Sequence, residues 1–352
     1  MTDQPISLEE IRLRLNELDD ELLSLLSERR KLSIEVAKSK VQTSKPVRDA
    51  VREQQLLVKL ITNGRDKYEL DAQYITKLFH TIIEDSVLLQ QSYLQNLVNP
   101  LQSRKPLARV AFLGAKGSYS HLASREYFSR KNTELIELNC EHFKEVTQTV
   151  ESGHADYGVL PIENTSSGSI NEVYDLLQHT TLYIVGELTQ PIEHCLVATK
   201  DIRLENIKTL YSHPQPHQQC SEFLSRMKGV KLESCASTAD AMQKVQELNR
   251  DDVAAIGNAS SGKLYGLQAI QGNIANQTEN HTRFIVVARK PVEVSTQIPA
   301  KTTLLMSTSQ EAGSLVQTLL VIQRYGINMT KLESRPIICL LYTSPSPRDG
   351  RI

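Results

Sequence analysis

The chain has 352 residues, with 40 Lys plus Arg against 41 Asp plus Glu and a net charge of −1. That length fits two or three domains of roughly 150 residues each. Balanced charge, no Trp and 5% aromatic residues argue against a nucleic-acid partner or a membrane surface. No apolar run is long enough to span a bilayer and no basic-apolar leader is present. The five cysteines, Cys140, Cys195, Cys220, Cys235 and Cys339, have no CxxC spacing. They read as reduced thiols in the cytoplasm, not as a disulfide framework or zinc site.

Ser7 and Glu10 form a capping box, which predicts a helix from about Leu8. Ile11, Leu15, Leu18, Leu22, Leu25, Arg29, Leu32 and Val36 follow in steps of three and four, with no Gly or Pro before Pro46. One helix of roughly 50 Å results, and its apolar seam needs a second chain as cover. Arg29 interrupts that seam. Its plainest role is to set register, but Lys40 falls on nearly the same face about three turns later. Two cations ~16 Å apart along the axis can close on a small dianion. Arg12 lies ~25 Å from Arg29 and reaches such a pocket only from the other chain of an antiparallel dimer. A second helix is expected after Pro46, with Asp49, Arg52 and Glu53 on one face; alone, they read as a solvated stripe. A third, from about Asp71 to Leu97, presents Ile75, Leu78, Phe79, Ile82 and Ile83, with Gln90 beyond them.

Together these residues resemble the all-helical class of chorismate mutase domains, from residue 7 to about 97 of a domain spanning 1–97. The resemblance implies an intertwined dimer. Arg12, Arg29, Lys40, Asp49, Arg52, Glu53 and Gln90 stand where that family's motif places its active-site groups, with Ser86 as a lesser contact. The implied reaction rearranges chorismate to prephenate. It needs no nucleophile, only a folded dicarboxylate and stabilised charge at the breaking ether oxygen. Arginines suit the carboxylates. Lys40 and Gln90 can donate to the ether oxygen; Glu53 either donates when protonated or orients Lys40.

Residues 98–108 hold two prolines and no periodicity, and read as a linker. Beyond them short apolar runs alternate with helical stretches, as in a two-lobed α/β domain at 109–290. The runs are Val110–Leu113, Tyr157–Leu160 (ending at Pro161), Thr209–Tyr211, Val253–Ile256 and Phe284–Ala288. Polar clusters follow several of them. Glu163, Asn164, Thr165, Ser166, Ser167 and Ser169 crowd one strand-to-helix turn, a setting suited to anionic ligands. Gly114–His121 is a glycine-containing loop without P-loop spacing. Ser212–Cys220 includes His213 and His217 at i, i+4, but no third ligand accompanies them, so capping and packing are preferred to a metal. Asn280–Phe284 leads into the last strand.

In kind and order these clusters resemble prephenate dehydratases; Ala115 stands where that family often has proline. The resemblance implies loss of water and carbon dioxide from prephenate, giving phenylpyruvate. It makes Thr282 the residue acting on the leaving hydroxyl, Glu163, Asn164, Ser212 and Gln219 site residues, and Arg283 a carboxylate ligand. A threonine hydroxyl is a very poor acid, so Thr282 relays or orients a proton.

Lys301–Ser307 reads as a strand, Ala312–Tyr325 as a helix and Ile327–Glu333 as a strand. With Gly313, Ser314, Leu315, Val316 and Glu333, Ser334, Arg335, Pro336 they resemble a partial ACT regulatory domain at 299–337, the motifs with which such domains bind phenylalanine. Residues 338–352 do not continue that pattern and read as a foreign tail. Phenylalanine control is therefore expected to be impaired. The expected partners are chorismate, prephenate, phenylalanine as effector and a second copy of the chain, with no cofactor, metal, nucleic acid or membrane. A rival reading is a two-lobed sensor of an aromatic acid fused to a helical dimerisation module. Another is a purely structural helical module.

Overall fold

The computed structural model describes residues 7–100, 107–129, 131, 133–227, 229–277, 279–309 and 311–335. The chain divides into two units, residues 1–105 with 292–302, and residues 106–291 with 303–352.

The first unit is helical: α1 (Leu8–Thr43), α2 (Ala50–Tyr68) and α3 (Ala72–Val98). The expected capping box starts α1, with the Ser7 N–H donating to Glu10 Oε2 at 2.9 Å and the Glu10 N–H to Ser7 Oγ at 3.2 Å. At 36 residues the helix is about 54 Å long. It buries only Ser33 and Ala37, small residues that let α3 approach. Its leucines stay in solvent: Leu15 is 54% exposed, Leu22 56%, Leu25 63% and Leu32 58%. The Asp49 and Asp71 side chains cap α2 and α3. Gly64 lets the α2–α3 turn close, because a Cβ there would lie 2.3 Å from Ile75 Cδ1.

Residues 292–302 also belong to this unit, which the sequence pattern does not announce. Gln297 Nε2 donates to the carbonyls of Lys40 at 2.7 Å and Lys45 at 2.8 Å. Ile298 packs on Val47, Val87 and Leu94.

The second unit is α/β. Its elements in order are β1 (Leu107–Leu113), α4 (Tyr119–Ser129), β2 (Glu134–Cys140), α5 (Phe143–Glu151), β3 (Tyr157–Asn164), β4 (Gly168–Ser169), α6 (Asn171–His179), β5 (Tyr183–Pro191), β6 (Cys195–Ala198), β7 (Thr209–Ser212), α7 (Pro214–Gln219), α8 (Ser221–Leu224), β8 (Lys231–Ser234), α9 (Thr238–Leu248), β9 (Val253–Gly257), α10 (Ala259–Leu264), β10 (Gln268–Gln271), β11 (His281–Ala288) and α11 (Ser314–Arg324). One mixed sheet runs β2-β1-β3-β11-β5, with β4 on β3; the other runs β10-β6-β9-β7-β8. The chain crosses between them after β5 and returns before β11. The two crossings are tied where the Ile192 N–H donates to the Asn280 carbonyl at 2.7 Å.

β3 does not stop at Pro161 as its sequence predicts, but continues to Asn164. Pairing with β1 ends at Val159, so Pro161 denies no hydrogen to that neighbour. Against β11 the pairing shifts at Pro161, which opposes Phe284 while Glu163 opposes Arg283. The extra residue, Ile162, makes a β-bulge, a place where a sheet tolerates proline.

The expected strands at 301–307 and 327–333 do not form among the described residues; only the helix between them does, as α11. A strand persists only when its backbone groups are paired, and no described strand lies alongside. Pro336 and the tail 338–352 lie outside the described residues. Cys140, Cys195, Cys220 and Cys235 are free and buried. Among the described residues no helix is long and apolar enough to cross a membrane.

Candidate active sites

In the helical unit Arg29 and Ser86 meet at the α1–α3 contact, and Lys40 lies near Asp49, Arg52 and Glu53 at the start of α2. Arg29 Nη1 donates to the Ser86 hydroxyl and, at 3.2 Å, to the Ile82 carbonyl, which fixes the guanidinium against α3. Gln90, one turn beyond Ser86, is 7% exposed, and its Oε1 is buried without a hydrogen-bond partner. A buried orphan acceptor costs about 1–3 kcal/mol, which a ligand donor at that point would recover. Lys40 Nζ donates to the Val47 carbonyl. Burial lowers its pKa, opposed by the charges of Asp49 and Glu53. Asp49 Oδ1 accepts the Arg52 N–H at 3.0 Å, so it shapes the start of α2 beside Glu53. Arg48, which sequence reasoning passed over, contacts Glu53 at 3.6 Å and also pairs with Glu84. Arg12 is exposed and too far along α1 to join these groups.

In the α/β unit the centre is Asn164. Its Oδ1 accepts the N–H groups of Ser166 and Ser167, both at 2.9 Å. Two backbone donors settle which end of the amide is oxygen. Nδ2 therefore donates: to Asn280 Oδ1 at 2.8 Å, Thr282 Oγ1 at 2.9 Å and the His281 carbonyl at 3.2 Å. Because Thr282 Oγ1 accepts from Asn164, its own hydrogen remains free to donate elsewhere. Asn164 and Thr282 are 7% and 8% exposed, so this direction is held away from bulk water.

The second sheet brings its own groups to this turn. Gln215 Nε2 donates to Ser167 Oγ at 3.3 Å, which ties the start of α7 to the turn after β3. Ser212, at the end of β7, is buried and donates to the His213 carbonyl at 2.9 Å. His213 caps α7 through Nδ1, which accepts the Gln215 N–H at 3.3 Å. Gln219 Oε1 lies 2.8 Å from His194 Nε2. His194 is 1% exposed, and burial lowers its pKa despite the Gln219 hydrogen bond. The glycine loop is braced from beneath: His121 Nδ1 accepts the Gly117 N–H at 3.0 Å, and its Nε2 lies 3.0 Å from Glu137.

Glu163 and Arg283 face away from Thr282. Cross-strand partners share a sheet face and consecutive residues alternate. Asn164 opposes Thr282, whereas Glu163 opposes Arg283, so that pair lies on the other face. There Arg283 meets Glu163 at 3.7 Å and Glu187 at 3.9 Å. The bulge at Ile162 sets this division: were Ile162 paired in register with Arg283, Glu163 would oppose Thr282 and Asn164 would face away from it.

Comparison with known proteins fits this two-part layout. A family model for chorismate mutase type II matches residues 11–91, and one for prephenate dehydratase matches residues 110–292. The chain is 54% identical over 327 residues to the bifunctional chorismate mutase/prephenate dehydratase of Escherichia coli (strain K12), covering 93% of this chain and 84% of that protein. The chain belongs to the bifunctional chorismate mutase/prephenate dehydratases. A solved prephenate dehydratase from Staphylococcus aureus is similar at a TM-score of 0.54 and 27% identity, over 66% of this chain and 85% of that one. Another, from Arthrobacter aurescens in complex with L-Phe, shares the fold at a TM-score of 0.53 and 23% identity, over 65% and 76%.

In this bifunctional enzyme the face opposite Thr282 receives the C-terminal segment. Lys331 Nζ lies 3.1 Å from Glu163 Oε1 and donates to Ser169 Oγ at 2.8 Å. Ser169 Oγ donates to Glu333 Oε2 at 3.1 Å. Arg335 grips Asp175 through two contacts of 2.7 Å. Gly313, Ser314, Leu315 and Val316 form the start of α11, with Gly313 in the left-handed region at φ 86°. His194, Arg48 and Lys331 were not singled out from sequence, since none has a diagnostic neighbour, and Asn280 was named only as the start of the cluster leading to Thr282. Their roles come from partners distant in the chain.

Proposed function

We infer that the chain converts chorismate to prephenate in its helical unit and prephenate to phenylpyruvate in its α/β unit, in the cytoplasm. The observation carrying the second step is the donor direction at Thr282. With its oxygen occupied by Asn164 Nδ2, the hydroxyl donates a hydrogen bond to the departing hydroxyl of prephenate while keeping its own proton. Ser212 and Gln219 supply further polar contacts from the second sheet. Arg283, held on the other face, supports the sheet instead of binding the substrate carboxylate.

For the first step, Arg29 and Lys40 hold the dicarboxylate, with Arg52 at the start of α2. Lys40 and Gln90 meet the ether oxygen, and Glu53 orients Lys40. Gln90 serves through its amide N–H, while its buried Oε1 takes a donor from the substrate's hydroxyl. The exposed leucine seam of α1 and the distance of Arg12 support an intertwined homodimer in which each mutase site takes Arg12 from the other chain. Phenylalanine acts as a weak effector through residues 313–316 and 333–336. Weakness is expected because Glu333 and Arg335 are already bonded to Ser169 and Asp175. Feeding chorismate to the purified chain tests the first step and feeding prephenate tests the second. Failure to form either prephenate or phenylpyruvate from chorismate would sink the mutase half, and no phenylpyruvate from prephenate would sink the dehydratase half.

A further inference from the structure

Asn164 Nδ2 has two hydrogens but three acceptors within reach: Asn280 Oδ1, Thr282 Oγ1 and the His281 carbonyl. Which two it serves decides whether Thr282 is held as an acceptor. Its oxygen end is held by the Ser166 and Ser167 N–H groups. The amide is planar, so the remaining freedom is a rocking of the whole carboxamide about χ2, and Asn280 pins its nitrogen end. The Asn280 side chain is 5% exposed, and its Oδ1 makes the shortest of the three contacts, 2.8 Å. It also lies 3.5 Å from Thr165 Oγ1, so the turn carrying Asn164 is gripped twice. The Asn280 backbone carbonyl separately receives Ile192 at the paired crossings. A side-chain change therefore leaves that tie in place.

We propose that Asn280 is a positioning residue for dehydration: its side-chain oxygen takes one hydrogen of Asn164 and thereby directs the other at Thr282. The inference rests on the reading of Thr282 as the group that donates to the leaving hydroxyl. With Asn280 present, the Thr282 hydrogen has one free direction, toward substrate. Without it, the whole Asn164 amide rocks about χ2 toward the His281 carbonyl, and the Thr282 hydroxyl is free to rotate and to donate back into the protein. The fall in rate comes from lost orientation rather than lost contact with prephenate, so kcat drops while KM holds.

The test uses the full chain with Asn280→Leu, which keeps the side chain's size and removes the acceptor, and Asn280→Asp, which keeps an acceptor. Mutase turnover gives the concentration of intact chain, and thermal unfolding reports on the α/β unit. Asn280→Leu should lower dehydratase kcat ~30-fold or more with KM within ~3-fold, and Asn280→Asp should recover most of the rate. Should the leucine variant unfold, Asn280→Ala is read in its place, with the same split expected. A leucine or alanine variant as fast as the parent would overturn the proposal, and so would equal damage by the leucine and aspartate variants. Thr282→Val separates the two ideas. If it abolishes dehydration while Asn280→Leu is silent, only the positioning role is lost. If Thr282→Val is itself silent, the site reading fails first.

Discussion

Lys40 shows how one residue's surroundings set a measurable property. Burial pushes its pKa below the ordinary 10.5, and Asp49 and Glu53 pull the other way. In the proposed mutase site its cation is the working form, and a neighbouring Arg12 from a second chain would disfavour that cation further. Mutase kcat/KM should therefore fall on the alkaline side, with a midpoint below that of an ordinary lysine. Lys40→Arg keeps its charge and should erase that limb at a lower rate. A profile flat past pH 10.5 would contradict the assignment. Asn164 and Glu163 make the second comparison at this scale. They are adjacent in sequence but face opposite sides of the sheet. Asn164→Ala should reduce dehydratase kcat by about 100-fold or more, whereas Glu163→Gln should change it by less than about 5-fold, since it only weakens contacts to Arg283 and Lys331. Similar losses for both would refute the division of faces. Residue type in a crowded polar turn pointed to Asn164, and the family resemblance pointed to Thr282. Direction was not visible, because it depends on pairing between strands more than a hundred residues apart.

Among the elements, α1 was legible and β3 was only half so. The cap, the uninterrupted heptad-like seam and the absence of Gly and Pro are local signals, and local signals predict helices well. Pro161 is also a local signal, and it misleads. It reads as a stop because a central strand rejects proline, but β1 has already ended its pairing at Val159 and a bulge takes up the register with β11. Similarly, the strand patterns at 301–307 and 327–333 have the right residues but no described neighbour. The exposed face of α1 carries its own prediction. A Leu22→Glu, Leu25→Glu double variant places charges on the seam, so it should sediment as a monomer and lose most mutase activity while dehydratase activity stays. A dimer that survives these charges would place the interface elsewhere.

On the scale of the molecule, two units with separate cores let one chain carry two reactions in sequence. The proposal that mutase sites are shared between two chains makes a particular demand: mixing an Arg12→Ala chain with an Arg29→Ala chain should restore part of the activity through hybrid dimers. Demonstrated subunit exchange without recovery would rule out the shared site. The α/β unit also has an acid-sensitive core. Burial lowers the pKa of His121 and of His194, so below about pH 6.5 the unfolded chain binds protons that the folded one refuses. Stability is then present above that value and is lost as pH falls through and below it. Its melting temperature should drop between about pH 7 and pH 5.5, and a constant value would mean that both rings accept protons in place. The most direct test of two chemistries on one chain is a single assay of Thr282→Val given chorismate. Prephenate should accumulate at close to the parental rate with no phenylpyruvate formed. Parallel loss of both products' formation would contradict two independent sites.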